Sequence, residues 1–169
     1  MPCRKAGHLF RGNFDQYNWG DHETASEIQC TKIGWCSTMS ITVRECLKLP
    51  SLRNAEVLAG HAGLDQYVST VSVLEYAKTF AMANPLFLGN EIILTAFISI
   101  KDDVDAQCEA IRRLHAVGEA AIVLYYVDYY MENVDQKLVQ VANELDFPLI
   151  VMPRNDYSLR YSDVITEVL

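Results

Sequence analysis

The sequence has no long apolar run. Its longest, Ala120 to Val127, falls far short of the roughly 18 residues of a membrane-spanning helix, which leaves no candidate span and no membrane partner. The opening stretch, Met1 to His8, carries charge but leads into no apolar block of the kind a secretory signal needs. The expected compartment is therefore the cytoplasm. Positive charge is scarce as well: 14 Lys and Arg stand against 22 Asp and Glu, a net charge of −8. Within residues 1–38, Arg4, Lys5, Arg11 and Lys32 cancel Asp15, Asp21, Glu23 and Glu27, so the whole excess lies on residues 39–169. A body of that sign repels phosphate backbones, and direct nucleic-acid contact by these residues is not expected.

Motifs that carry chemistry are missing too. The chain has no nucleophile elbow, no phosphate-cradling glycine loop and no HExxH pair, so no catalytic residue and no cofactor is assigned. Cys3, His8, His22, Cys30 and Cys36 lack the Cys-x-x-Cys or His-x-x-x-His spacing of a zinc knuckle, and no metal is assigned. The 5 cysteines are an odd number; Cys46 and Cys108 fall on apolar helix faces, where a free thiol acts as a small hydrophobe in a reducing compartment. Asp102 and Asp103 are paired carboxylates, but they stand where a helix begins and the helix dipole stabilises negative charge. His61 and His115 are isolated, one in a turn and one near a helix end.

What is present divides into two parts. Residues 1–38 scatter Phe10, Phe14, Tyr17, Trp19 and Trp35 among small polar residues without a period of 2 or 3.6. They read as a leader with no fold of its own, and Met39 as the natural start. From residue 39 the pattern is punctuated. Thr42-Val43-Arg44-Glu45 has the form of a capping box, opening a short helix that stops at Pro50. Glu56 to Ala59 and Val68 to Leu74 flank Gly60-His61-Ala62-Gly63-Leu64-Asp65, which predicts a β-hairpin. Residues 76–88 predict a short helix broken at Asn84-Pro85.

Glu91 to Phe97 predicts a buried strand. A helix follows from Asp102-Asp103 with Val104, Cys108, Ile111, Leu114 and Val117 on one face and Gly118 as its cap. Ala120 to Val127 predicts a second strand, Asn133 onward a helix carrying Val134, Leu138, Val141 and Leu145, Leu149 to Met152 a third strand, and Tyr157 to Leu169 a closing helix. The last helix has no stop signal and is expected to continue in a parent protein. Strand-helix-strand-helix-strand order implies right-handed crossovers. The fold class is α/β: a layered domain with a mostly parallel central sheet flanked by helices, plus an N-terminal β-hairpin.

Several segments occur in an order that resembles one family. Ile41-Thr42-Val43-Arg44-Glu45-Cys46-Leu47-Lys48-Leu49-Pro50 resembles the opening Thr-Val-Arg-Glu-Leu-Leu helix of the N-terminal domain of PucR-like (purine catabolism regulatory protein-like) bacterial transcription regulators. Glu56 to Asp65 is similar to its Val-Leu-Ala-Gly-x-x-Gly-Leu-Asp hairpin, and Val71-Ser72-Val73-Leu74-Glu75 to its next strand. Leu88 to Thr95 looks like its Leu-x-Gly-Glu-Leu-Val-Leu-Thr-Thr-Gly strand, and Glu144 to Arg154 like its Glu-Leu-Gly-Leu-Pro-Leu-Ile-x-Leu-Pro end piece. The glycine-turn and Gly-Glu-x-x-x-Thr grammar is similar also to DRTGG-type regulatory modules.

The resemblance implies an effector-sensing domain that binds a small metabolite, a purine derivative or relative, and controls a C-terminal helix-turn-helix lying outside these residues, in a homodimer. The chain departs from the family in two places. Thr95-Ala96-Phe97 stands where Thr-Thr-Gly is usual, and Pro153-Arg154-Asn155-Asp156 where Pro-Arg-Asp is usual.

In a parallel sheet, ligands bind outside the carboxyl ends of the strands. Residues expected there are Glu75, Thr95, Phe97, Tyr125, Tyr126, Asp128, Arg154 and Asn155. Glu75, Thr95 and Arg154 lead as polar contacts, Phe97 and Tyr126 as walls, with Asn155 beside them. Other readings stay open: Glu75 as a helix cap, Arg154 as a surface ion pair, and Tyr125 and Tyr126 as one core and one edge residue. An oligomerisation module without a ligand pocket is the alternative function.

Overall fold

Ile92, Ile93 and Leu94 leave a strand no polar face, and a strand apolar on both sides requires cover on both. The sheet is built around that requirement. The computed structural model describes residues 41–75 and 88–169. It contains strands β1 (Ile41–Thr42), β2 (Glu56–Ala59), β3 (Tyr67–Val68), β4 (Thr70–Val73), β5 (Glu91–Thr95), β6 (Ala121–Leu124) and β7 (Leu149–Val151). The helices are α1 (Val43–Cys46), α2 (Val104–Ala116), α3 (Val127–Tyr130), α4 (Gln136–Glu144) and α5 (Tyr161–Val168). The leader at 1–38, its Cys and His residues, and the helix expected over 76–88 up to residue 87 lie outside the described residues.

Five strands form one sheet in the order β2-β7-β6-β5-β4. β4, β5, β6 and β7 run parallel, and β2 closes one edge antiparallel to β7. This is the expected mostly parallel α/β layer. Side chains alternate between two cores. Ile93, Ile122, Leu124 and Leu149 meet Cys108, Ile111 and Leu114 of α2 and Leu138 and Val141 of α4 on one face. Ile92, Leu94, Val123 and Ile150 meet Val43 and Cys46 of α1 and Val164 of α5 on the other. Burial raises the Cys46 thiol to about 11 and the Cys108 thiol above its usual value, so both behave as inert hydrophobes.

Local signals explain the ends of elements. Thr42 and Glu45 form the capping box of α1: the Glu45 backbone N–H donates to Thr42 Oγ1 at 3.3 Å and the Thr42 N–H to Glu45 Oε2 at 2.8 Å. Asp103 caps α2, accepting from the Ala106 N–H at 3.0 Å, and Asp135 caps α4. Gly118, at φ 85°, ends α2 as expected.

The hairpin pairing is a correction. A small antiparallel pair does lie at the N-terminal end, but its strands are β1 and β3, with Ile41 opposite Val68. β2 and β4 stand at opposite edges of the main sheet. Gly60 to Asp65 does not reverse the chain into a ladder because it forms a 3₁₀ turn that docks on the α4–β7 loop. The Gly60 N–H donates to Asn143 Oδ1 at 2.9 Å. A Cβ on Gly60 would collide with the Phe147 carbonyl, and one on Gly63 with the Asp146 carbonyl. Boundaries also move. The first helix stops at Cys46, the strands expected over 91–97 and 120–127 stop at Thr95 and Leu124, the fourth helix starts at Gln136, and the last at Tyr161.

Gly60 combines φ 69° with that backbone contact, whereas Gly118 has φ 85° and nothing within 4 Å of the place an added methyl group would take. Gly60→Ala is expected to lower stability on the order of 3 kcal/mol and Gly118→Ala by about 1 kcal/mol, the cost of the left-handed backbone alone. Chemical denaturation of the two variants checks the ranking.

Candidate functional site

Two strands leave the sheet by the same local geometry. After β5 the chain passes Ala96 and turns left-handed at Phe97, φ 52°, into a 3₁₀ turn over Ile98–Ile100. After β6 it passes Tyr125 and turns left-handed at Tyr126, φ 53°, into α3. After β7 the left-handed residue is Asn155, φ 58°. Asn and Asp tolerate this region, which accounts for Asn155 and for Asn90 and Asp146 elsewhere. Phe and Tyr do not, and holding each there costs about 1–3 kcal/mol.

β6 leads to α4 on one face of the sheet, and its neighbour β7 leads to α5 on the other. In folds of this kind, adjacent strands whose connections part in this way place a ligand crevice between their exit loops. Here those loops are residues 125–135 and 152–160. Hydrogen bonds lace them together. The Tyr126 hydroxyl donates to the Leu159 carbonyl at 2.7 Å, and the Asn155 N–H to Asp128 Oδ2 at 2.7 Å. The Tyr157 hydroxyl donates to the same Asp128 oxygen at 3.1 Å, and Arg154 donates to Asn133 Oδ1 at 3.2 Å. The bond to the Asp128 carboxylate, more than its slight burial, raises the Tyr157 phenol above its usual value.

A second group lies at the exits of β4 and β5. Glu75 Oε1 accepts from the Ala96 N–H at 3.1 Å and from the Tyr161 hydroxyl at 3.1 Å, while Oε2 accepts from the Ile98 N–H at 3.2 Å. Thr95 is buried, and its Oγ1 accepts from the Phe97 N–H at 3.0 Å. Phe97 is 0 % exposed, packed into the core under α2 and α4. The left-handed backbone at Phe97 sends its ring into the core. Beside this exit, Ile98 to Asp103 line a pocket of about 190 Å³, below the roughly 300–1,000 Å³ of most ligand sites.

Tyrosines join the two groups. The Tyr161 ring lies 4.5 Å from that of Tyr125 and 6.3 Å from that of Tyr126, centroid to centroid. Tyr126 in turn contacts Tyr130, Tyr130 contacts Tyr129, and Tyr129 contacts Tyr157. Burial first, then the Glu75 charge and hydrogen bond, raise the Tyr161 phenol. Tyr125 is 0 % exposed and its hydroxyl has no partner among the described residues; burial, then Tyr126 and Asp163, raise it. Tyr125 and Tyr126 are thus one core and one half-buried residue, but just past the strand rather than in it.

The structure therefore gathers Glu75, Thr95 and Phe97 at one end and Tyr126, Arg154 and Asn155 at the other. Tyr161, which donates to the Glu75 carboxylate, is not among the site residues that the sequence singles out. The signal was there, because a buried tyrosine needs a partner for its hydroxyl. Arg154 makes no ion pair among the described ones; it holds Asn133. Among the described residues, no group of three or more His, Cys, Asp or Glu is arranged to hold a metal ion. No described helix is long and apolar enough to cross a membrane.

The model of the purine catabolism regulatory protein-like family matches residues 45–169. The purine catabolism regulatory protein of Bacillus subtilis (strain 168) is 23% identical over 129 residues, which are 76% of this chain and 23% of that protein. The chain thus spans about a quarter of the length of this relative. A profile match over most of the chain, on a fold whose glycine turn, capping box and strand exits fall where the quoted motifs lie, settles its membership: the chain belongs to the purine catabolism regulatory protein-like family.

Proposed function

We propose that this domain binds a small planar metabolite, a purine derivative or related compound, in the crevice between the exits of β6 and β7. Binding then biases an output region of a longer cytoplasmic regulator, of the helix-turn-helix kind that the family resemblance implies, acting as a homodimer. One observation carries the reading: aromatic residues Phe97 and Tyr126 are held left-handed at neighbouring strand exits. Such strain persists only where the surroundings fix it, and it clusters at ligand sites. The family and the relative's name supply the metabolite class. Within the crevice Arg154 and Asn155 offer a guanidinium and an amide to a ring rich in donors and acceptors, and Tyr126 an aromatic face. From the β5 exit, Glu75 reaches the same tyrosine cluster through Tyr161, while Thr95, buried beneath, holds the Phe97 turn. A ligand entering the crevice displaces some of the bonds that lace it, so binding and loop rearrangement become one event.

A second reading is an oligomerisation module without a pocket. It is favoured by the complete burial of Phe97 and by Tyr129 and Tyr157, which are 67% and 58% exposed with rings 5.8 Å apart.

Thermal unfolding with a panel of purines, their ring-opened ureides and unrelated amino acids separates the two. A ligand selective for the folded state at roughly 100-fold above its Kd adds about 2.7 kcal/mol, and the sensing reading expects this from a member of the purine or ureide group. No shift from any compound, together with a sedimentation mass that falls from dimer to monomer in a Tyr129→Ser, Tyr157→Ser variant, would establish the second reading instead.

Glu75→Ala removes an acceptor of three hydrogen bonds and is expected to cost about 1–2 kcal/mol of stability and to abolish the ligand-induced shift. Retention of the full shift in this variant would make Glu75 a brace for the β5 exit and nothing more.

A further inference from the structure

The amino ends of the interior strands β5 and β6, opposite the strand exits, hold two buried carboxyl groups that the crevice does not use. Glu91 opens β5 and is 3% exposed; Glu119 stands between α2 and β6 and is 1% exposed. Glu119 Oε2 accepts from the Glu91 backbone N–H at 2.8 Å, and Glu91 Oε2 accepts from the Ser72 hydroxyl of β4 at 3.0 Å. Glu119 Oε1 is buried with no hydrogen-bond partner among the described residues. None of the described ion pairs, Arg44–Asp65, Lys101–Asp102, Arg113–Glu109 and Lys137–Asp105, includes either residue.

An ionised carboxylate with one oxygen unpaired, buried beside a second carboxyl, is among the most costly arrangements a core can contain. Two remedies exist, a bound cation or a proton. Two carboxyl groups and one hydroxyl fall short of the six or more oxygens a calcium ion takes and of the octahedron magnesium demands, and no described cluster is built for a metal. A proton needs only the one orphan oxygen.

We propose that Glu119 is a proton-uptake site: the folded domain holds its carboxyl protonated, and ionisation on rising pH loosens the end of the sheet where β5 and β6 begin. Among the described residues, the groups facing Glu119 are the Glu91 carboxyl from β5 and the backbone N–H groups of Glu91 and Gly89, with Ser72 of β4 behind Glu91. Burial acts first on Glu119, and the Glu91 charge acts in the same direction, raising it above the usual carboxylate range; the two N–H groups oppose them without cancelling them. The sign follows. Between the unfolded and folded values the native state binds more protons than the unfolded chain, so stability falls as pH rises through that window and levels off above it. This end of the sheet tethers the same strands, β5 and β6, whose far ends carry Phe97 and Tyr126.

The test compares thermal midpoints of the whole chain with those of Glu119→Gln, a neutral isostere, from pH 5 to pH 8. The histidines are common to both proteins and cancel in the difference. The wild-type midpoint is expected to fall by several degrees relative to the variant as pH rises, with the variant the more stable at pH 8. Parallel profiles, or a variant less stable at every pH, would overturn the proposal. Should the variant fail to fold, carbon-13 carboxyl NMR of the wild-type protein decides: one glutamate titrating above the range of the exposed carboxylates is expected, and its absence counts against a held proton.

Discussion

The constraint on which the rest depends is that the parallel strands are apolar on both faces. Ile92, Ile93, Leu94, Ile122, Val123, Leu124 and Ile150 are fully buried, and no single layer of helices can cover them. The chain meets this by placing α2 and α4 on one face and α1 and α5 on the other. To reach the second face it must part company with β6 on leaving β7, and that parting creates the crevice. The cover that makes the core and the crevice that makes the candidate site are consequences of one topology.

The crevice is closed by local chemistry rather than by bulk. Hydrogen bonds through Tyr126, Asp128, Arg154, Asn155 and Tyr157 lace its walls, and each uses a group a polar ligand could also use. Tyr161 ties α5 to Glu75 on the far side, and a second tie, Ser51 to Glu167, holds the end of α5 by 2.9 and 2.6 Å hydrogen bonds. Helix α5 is therefore fastened near both ends, through Tyr161 to Glu75 and through Glu167 to Ser51. The exposed bonds are individually weak, so the proposed ligand would displace them at small cost.

Much of the fold was legible in the residues. The Thr42–Glu45 capping box, the Asp103 cap, the apolar face of α2 and the Gly118 terminus follow from local rules and stand as expected, because their causes lie within a few residues of each other. The pairing of 56–59 with 68–74 did not follow, since Gly60 and Gly63 look like turn glycines whether they reverse a hairpin or admit the backbone at Phe147 and Asp146. Only a tertiary partner decides that. Tyr125 and Tyr126 extended an apolar run and so read as strand, and the left-handed turn at Tyr126 overrides the β preference of aromatic residues. Strand order was likewise not readable, because edge and centre differ in neighbours and not in their own composition. The candidate site was legible only as a set of residues following the carboxyl ends of the strands. Their division into two groups joined by Tyr161 depends on a helix that arrives from the other end of the domain.

The most direct test of the central claim is amide shift mapping of the isotope-labelled domain, titrated with whichever metabolite stabilises it most. The account predicts perturbations concentrated in residues 96–98, 125–133 and 153–161, with the amides of α1 and β2 unmoved. Saturable binding whose shifts fall elsewhere on the domain, leaving the two exit loops undisturbed, would contradict it.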